Sequence, residues 1–433
     1  MRDQSDSGHQ APNVFKFIGN MAKLTRRTPL LVQALAQNRP ALTSRRDRDP
    51  LNIADSFRAL AQNMLNDPGT MLKAQAALWR NYRSLTRYTG RRFLGEELEP
   101  PVTPAPEDRR FADPAWEDSG YFDLIKQAYL LTANWMVETA GHIEGMSDRD
   151  ARKVAFYTRQ IADAIAPTNF ALSNPAVLRA CIESNGESLI RGFDNFLTDL
   201  KRGNGKLRIR MVDEDAFEIG GDIANAPGQI VFQNDLIQLI QYAPTTEQVF
   251  KRPLLIVPPW INKYYILDLQ EKNSLIRWAV AQGHTVFVIS WVNPDASLAH
   301  KSFEDYMLEG PLDALGAIEQ ATNETRINAV GYCLGSRLMA ATLAYMAVKK
   351  DPRIGSATFL ASMIDFAEPD ELGVFIDEKQ LQSLEAHMNE RGFLDGSKMA
   401  ATLNMMRAND LIWAFVIHNY LLGKDPVSFD LLY

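Results

Sequence analysis

The chain has 433 residues, of which 46% are hydrophobic and 23% are charged, and its formal net charge is −7. This length exceeds the roughly 250–300 residues at which single cores stop growing, so two or three domains are expected. The acidic balance argues against nucleic-acid binding, which needs a basic face. Only two cysteines occur, far apart in sequence, which argues against a disulfide framework or a zinc site.

Neither a membrane span nor a secretory signal is predicted. No apolar run approaches the roughly 18–20 residues that cross a bilayer. The first ten residues, MRDQSDSGHQ, are polar and carry both acidic and basic side chains. We therefore expect a cytoplasmic protein without a transmembrane segment.

Residues 1–204 predict a mainly helical N-terminal domain, of which 1–50 form a variable, flexible part. Apolar residues such as Phe122, Ile125 and Tyr129 recur at helical spacing. A basic amphipathic stretch at 14–35 allows two interpretations. It could lie on an amphiphilic surface, or it could pack its apolar stripe against the rest of the protein.

The pattern changes near residue 205, and 205–368 predict an α/β core. "KLRIRMVDED", "FEIGGD" and "GQIVFQNDLIQLIQYAP" are short and alternating or β-rich, in the manner of antiparallel strands. Four apolar runs then alternate with helical segments, at 252–260, 284–293, 326–333 and 356–365. Near-continuous apolar strands separated by helices indicate a parallel sheet covered on both faces. Residues 369–433 are helical or irregular and are assigned to a lid or cap.

The stretch 331–335 reads G-Y-C-L-G and lies between a predicted strand and a predicted helix. This is the nucleophile-elbow pattern of α/β-hydrolases with Cys in place of Ser, in which the small residues Gly331 and Gly335 let the helix pass close behind the turn. Cys333 is then the candidate nucleophile, and the backbone N–H of Leu334 is one oxyanion-hole donor. The alternative is that Cys333 is a small buried hydrophobic residue.

The second oxyanion donor of this fold comes from the loop after an earlier strand of the sheet. That strand leads here into "VPPWINKYYILDLQ". Two prolines fix the backbone, so the N–H groups of Ile261 and Asn262 are candidates to face the nucleophile. The alternative is a rigid aromatic turn under the lid.

Four long stretches resemble the polyhydroxyalkanoate synthases, most of all the class I poly(3-hydroxybutyrate) polymerases. They are "VPPWINKYYILDLQ" (257–270), "GHTVFVISWVNPDAS" (283–297), "NAVGYCLGS" (328–336) and "LIWAFVIHNYLLGKDPVSFDLLY" (411–433). The likeness extends from residue 110 to 433, and the first hundred residues are similar to the family's variable N-terminal region. Ser336 departs from the family, which often has a second glycine there, and we expect this small residue to be tolerated.

The resemblance implies a polymerase that takes (R)-3-hydroxyacyl groups from CoA thioesters. It would attach them to Cys333 with release of CoA and add them to a polyester chain. It also implies association with the polyester granule surface, a homodimer and short-chain substrates such as 3-hydroxybutyryl-CoA. No cofactor and no metal is implied.

The family's general-base histidine and its assisting aspartate lie downstream of the "FDLLY" stretch, in which this chain ends at Tyr433. We therefore expect a C-terminally truncated synthase with an incomplete α/β-hydrolase-type core, its last strands absent, and little polymerase activity of the chain alone. A substitute triad of Cys333 and Asp365 with His387 or His418 is formally possible, but the contexts of these residues favour structural roles. Two other functions stay open: a catalytically silent partner at granules or in dimers, and a Cys-dependent α/β-hydrolase.

Overall fold

A computed structural model describes residues 13–37, 51, 53–141, 145–394 and 396–432. The chain divides into two compact units. The first, called the helical unit below, comprises Met1–Met211, Asp370–Ser383 and Ala401–Val427. The second, called the sheet unit, comprises Val212–Pro369, Leu384–Ala400 and Ser428–Tyr433.

The helical unit begins with a series of α-helices. They are α1 (Val14–Gln37), α2 (Ile53–Asn66), α3 (Pro68–Phe93), α4 (Ala115–Asp118), α5 (Gly120–Gly141), α6 (Asp148–Ala164), α7 (Pro175–Glu183) and α8 (Glu187–Arg202). Helix α3 starts with Pro68 in its first turn, and the side chain of Asp67 accepts a hydrogen bond from the Thr70 N–H at 3.1 Å. This side chain satisfies one of the backbone donors that a helix leaves unpaired at its start.

The described part of α1 packs on α8, but Val14 and Ile18 of its apolar residues are exposed, so packing through an apolar stripe stays a prediction. Asn20 is buried, and its amide donates to the backbone carbonyl of Asn185 at 3.0 Å. Lys16 forms an ion pair with Glu187 at 2.9 Å. Phe15 stays exposed on the outer side of the helix.

The sheet unit is built on six strands in the order β1-β2-β4-β3-β5-β6. They are β1 (Gly228–Gln233), β2 (Ile237–Tyr242), β3 (Leu254–Val257), β4 (Val286–Trp291), β5 (Ile327–Tyr332) and β6 (Ile354–Leu360). Strand β2 is antiparallel to both β1 and β4, whereas β4, β3, β5 and β6 run parallel to one another. A mixed sheet of this order confirms the predicted α/β class.

Helices follow the parallel strands. They are α9 (Leu275–Ala281), α10 (Phe303–Met307), α11 (Asp313–Thr322), α12 (Leu334–Lys349), α13 (Glu378–Arg391) and α14 (Gly396–Met406). Residues Val286–Ile289 of β4 are all buried, with core side chains on both faces of the sheet. Continuous apolar sequence is therefore what this central strand requires.

The antiparallel strands predicted in "GQIVFQNDLIQLIQYAP" are confirmed as β1 and β2. Those predicted in "KLRIRMVDED" and "FEIGGD" are wrong, since neither of these two described stretches forms a strand. The backbone of Arg210 pairs with side chains instead of with a neighbouring strand. Its N–H donates to Asp199 at 3.1 Å, and its carbonyl accepts from the amide of Asn419 at 2.7 Å. In the second stretch only an isolated bridge between Ile219 and Ile223 forms. Side-chain partners have replaced the ladder that the alternation predicts.

A buried ion pair fixes the start of α13 within the helical unit. The ammonium of Lys153 donates to the carboxylate of Asp377, and both side chains are almost fully buried. Lys153 also donates to the carbonyl of Leu51 at 3.2 Å, while Asp377 accepts from the backbone N–H of Gln380 at 2.8 Å. The two charges are thus paired and hydrogen-bonded, which burial of charges requires.

Candidate active site

Cys333 occupies the turn between β5 and α12. Its backbone has φ 53° and ψ −117°, a conformation that residues other than glycine rarely adopt. Two hydrogen bonds hold it there: the Cys333 N–H donates to the carbonyl of Leu360 at 3.0 Å, and its own carbonyl accepts from the Ser336 N–H at 3.0 Å. A strained residue that is fixed on both sides is common at functional sites.

The two glycines that flank the turn are required by close packing. A Cβ on Gly335 would lie 2.0 Å from the carbonyl oxygen of Val257 and 2.8 Å from that of Pro258. A Cβ on Gly331 would lie 2.6 Å from the Cα of Ser336. The first turn of α12 therefore passes directly against the end of β3 and against the last residues of β5. This is the arrangement for which an elbow needs small neighbours.

Ser336 is completely buried in this first turn, and its hydroxyl donates to the carbonyl of Leu360 at 3.3 Å. Leu360 is the last residue of β6 and also accepts from the Cys333 N–H. The serine therefore finds a hydrogen-bond partner for its buried oxygen, as burial of a hydroxyl requires.

The loop that follows β3 is held from its other side by Trp291, the last residue of β4. The indole N–H of Trp291 donates to the Pro258 carbonyl at 2.8 Å. Its ring stacks on Tyr306 at a centroid distance of 5.4 Å and meets Trp260 edge-on at 5.8 Å. Gly310 leaves the space for this indole, since a Cβ there would lie 2.5 Å from the ring.

Pro258 thus connects the two sides: its carbonyl lies beside Gly335 of the elbow and binds the Trp291 indole. Ile261 and Asn262, the candidate second oxyanion donors, follow three and four residues later in the same loop. The side chain of Asn262 accepts from the N–H of Lys263 at 2.8 Å. That the N–H groups of Ile261 and Asn262 face Cys333 stays a prediction.

The aromatic residues around Pro258 are what the sequence reasoning did not assign to the site. Trp260 lies in the "VPPWINKYY" stretch, shortly after β3, and Trp291 lies in "ISWVNP", at the end of β4. The contact between them depends on the neighbouring positions of β3 and β4 in the sheet. The pattern of a single strand does not contain that information.

Asp365, His387 and His418 are the candidates for the acid and base of a substitute triad. The Asp365 carboxylate accepts from the N–H of Ala367 at 2.9 Å, and Nδ1 of His418 shares a hydrogen bond with the side chain of Asn419 at 3.0 Å. Nε2 of His387 is buried, with no hydrogen-bond partner among the described residues. No hydrogen bond joins the Cys333 side chain to Asp365 or His387 within the described part of the sheet unit. The substitute triad stays untested.

The second cysteine has the environment of an inert thiol. Cys181 is buried in α7, and burial raises the pKa of its thiol. A thiol with a raised pKa carries less of the reactive thiolate. Cys333, in contrast, is only partly buried and lies at the start of a helix.

The helical unit contains a cavity of about 1380 Å³ that does not belong to this site. Its lining includes Arg110, Tyr129, Asp163 and Trp413. Arg110 is paired there with Asp163 at 2.9 Å and with Asp108 at 2.8 Å. Neither Cys333 nor the loop after β3 contributes to the lining.

The sequence predicts no membrane-spanning segment, and the helices of the structure can be compared with this prediction. Among the helices within the described ranges, none is both long and apolar enough to cross a bilayer.

Two family models match the chain. Residues 107–279 match the N-terminal region of poly-β-hydroxybutyrate polymerase, and residues 252–433 match the α/β-hydrolase fold. A poly(3-hydroxyalkanoate) polymerase of Methylorubrum extorquens is 50% identical over 374 residues, which cover 86% of this chain and 62% of that protein.

Relatives from other bacteria agree. A polymerase subunit of Rhizobium meliloti is 46% identical over 88% of this chain and 62% of its own length. The corresponding subunit of Cupriavidus necator is 41% identical over 75% of this chain and 55% of its own length. The chain therefore spans about three fifths of the length of the relatives it matches. By these similarities the chain resembles the poly(3-hydroxyalkanoate) polymerases over most of its own length.

Proposed function

We propose that the chain acts in polyester synthesis as an acyltransferase with Cys333 as the acyl carrier. The observation that carries this proposal is the strained turn of Cys333 between β5 and α12, in a chain that resembles the poly(3-hydroxyalkanoate) polymerases. The thiol lies at the N-terminus of a 16-residue helix. The first backbone N–H groups of a helix have no partner within the helix, so they are available to a negatively charged oxygen that develops during acyl transfer.

In the proposed first step, the Cys333 thiolate attacks the carbonyl carbon of an (R)-3-hydroxyacyl-CoA. The new carbon–sulfur bond forms as the bond to the CoA sulfur breaks, and CoA leaves as a thiolate that takes up a proton. In the second step, a hydroxyl oxygen attacks the acyl group on Cys333, gives up its proton and forms the ester, and the thiol is released. One end of the growing polyester is thereby extended by one unit.

The negative oxygen that develops in each step needs donors. We assign this role to the backbone N–H of Leu334 and to that of Ile261 or Asn262. Two contacts support the assignment: Gly335 packs on the carbonyl of Pro258, and Trp291 binds the same carbonyl from β4. Fixed backbone donors of this kind stabilise an oxyanion because they need no reorganisation during the reaction.

The finer parts of the proposal rest on the family resemblance. They are a preference for short-chain substrates such as 3-hydroxybutyryl-CoA, attachment to polyester granules and a homodimer. Two other functions compete with synthesis: a Cys-dependent α/β-hydrolase and a catalytically silent synthase-like partner. All three differ in the fate of the acyl group.

The test follows the acyl group on the protein. The purified chain is mixed with (R)-3-hydroxybutyryl-CoA, quenched and digested, and peptide mass spectrometry locates the acyl adduct. We expect an adduct on Cys333 that is absent in Cys333→Ala and unchanged in Cys181→Ala, the matched control at the other cysteine. Release of free hydroxy acid without transfer to a hydroxyl acceptor would show a hydrolase. Absence of any adduct on Cys333 would refute the acyl-carrier role and favour the silent partner.

A further inference from the structure

Helix α3 of the helical unit combines an unusual charge with an exposed apolar surface. Although the chain carries a net charge of −7, the 26 residues of α3 contain no Asp or Glu. Its basic residues are Lys73, Arg80, Arg83, Arg87, Arg91 and Arg92. This local excess of positive charge stands apart from the rest of an acidic protein.

One side of α3 is occupied by the fold. Leu85 and Tyr88 are buried and pack with Leu131 of α5. The indole N–H of Trp135 in α5 donates to the carbonyl of Ala74 at 2.8 Å. These contacts fix which sides of the helix remain exposed.

An apolar stripe runs along an exposed side. Leu72, Trp79 and Phe93 are 71%, 72% and 68% exposed. They are spaced by seven residues or a multiple of seven, and at about 3.6 residues per turn this spacing keeps them on one side of the helix. Large apolar side chains that are aligned and exposed mark an interaction surface more clearly than scattered ones do.

The basic residues border this stripe. At about 100° per residue, Arg80, Arg83 and Arg87 lie on the side next to Leu72 and Trp79, opposite to the buried side. All three are exposed, and among the residues that the structure describes no carboxylate lies within ion-pair distance of them. Arg91 and Arg92, in contrast, are paired with Glu96 and Asp123.

We propose that this side of α3, formed by Leu72, Trp79 and Phe93 with the arginines Arg80, Arg83 and Arg87, binds an anionic phospholipid surface. It is called the α3 face below. The helix would lie parallel to the surface, with the apolar stripe at the level of the lipid headgroups and acyl chains. Tryptophan is favoured at that depth, and arginines attract anionic headgroups.

The α3 face fits an anionic lipid surface better than a second copy of the chain or a nucleic acid. A second copy docking through the same face would bring arginines against arginines, which repel. A nucleic acid would use the arginines and could stack a base on Trp79 or Phe93, but it would leave the aligned aliphatic side chain of Leu72 without a partner. An anionic lipid surface uses both the charged and the apolar part.

The proposal does not depend on catalysis, so binding is measured without substrate. The chain is sedimented with vesicles of phosphatidylcholine, or of phosphatidylcholine with about 30% phosphatidylglycerol, at low and high salt. We expect binding only to the anionic vesicles, weakened by high salt. Arg83→Gln with Arg87→Gln should weaken it about tenfold or more, and Trp79→Ala should weaken it about tenfold.

Two matched controls keep the test specific. Lys201→Gln with Lys206→Gln removes two exposed charges from another part of the helical unit, and Trp278→Ala removes an exposed tryptophan from the sheet unit. Neither should change binding. All substituted positions are exposed, and circular dichroism checks that each variant is folded. Equal binding to neutral vesicles, equal loss in the controls, or a dimer abolished by Trp79→Ala would overturn the proposal.

Discussion

The packing of the elbow makes a quantitative prediction for Gly335→Ala. The new Cβ would lie 2.0 Å from the carbonyl oxygen of Val257, whereas an ordinary contact requires about 3.5 Å. Both the helix and the strand would have to shift, because the opposing atom belongs to the backbone. Overpacking of this kind costs about 1–3 kcal/mol, and a rigid opposing backbone places this site at the upper end. Alanine returns about 0.5–1 kcal/mol of helix stability, so we expect a net loss of about 2 kcal/mol.

Gly316→Ala is the matched control, since Gly316 lies inside α11 of the same unit and no heavy atom comes within 4 Å of the position of its Cβ. It should gain about 0.5–1 kcal/mol. Because the chain has two units, one global unfolding curve is not sufficient. Amide hydrogen exchange of peptides that cover β5 reports the opening of the sheet unit itself. A free energy of opening for Gly335→Ala within about 0.5 kcal/mol of the wild-type value would refute the packing argument.

Two further predictions concern the aromatic residues. Trp291→Phe removes the indole N–H that binds the Pro258 carbonyl, and we expect the acylation rate of Cys333 to fall about tenfold. Alkylation of Cys333 by iodoacetamide develops no oxyanion and should be unchanged; a parallel loss of both rates would indicate general distortion instead. The pKa of Tyr420 is raised, first by burial and then by its hydrogen bond to Asp199. The folded state therefore holds this proton more tightly than the unfolded chain. The contribution of Tyr420 to the free energy of unfolding should be complete below about pH 10 and decrease above it. Urea unfolding midpoints of the helical unit, followed by a fluorescent probe attached within that unit between about pH 9 and 11, should decrease less for Tyr420→Phe than for the wild type, and equal slopes would contradict the assignment.

The sequence predicted the local parts of the site better than the contacts between them. The apolar runs and the G-Y-C-L-G stretch are each contained in one segment, and β3, β4, β5 and β6 lie where those runs are. Alternation misled in "KLRIRMVDED", because Asp199 and Asn419 satisfy the backbone of Arg210. These partners are distant in sequence, so no local sequence pattern predicts their contacts with Arg210.

The same reason explains why Trp291 was not predicted. Its role depends on the order of the strands, in which β3 lies between β4 and β5. That order brings the end of β4 and the start of α12 to opposite sides of one residue, Pro258. A pattern of apolar and polar residues predicts that parallel strands exist but does not order them.

The contacts of β3, β6 and α12 around Cys333 together hold its strained backbone. A non-glycine residue with this φ costs about 1–3 kcal/mol and persists only when its surroundings fix it. Here β6 binds the Cys333 N–H through Leu360, the first turn of α12 binds its carbonyl, and β3 lies against Gly335. Three separate elements therefore hold one residue whose side chain contributes little to the core. Packing alone would not favour a strained cysteine at this position. The conformational strain at Cys333 therefore supports the proposed role of its partly exposed thiol as the acyl carrier.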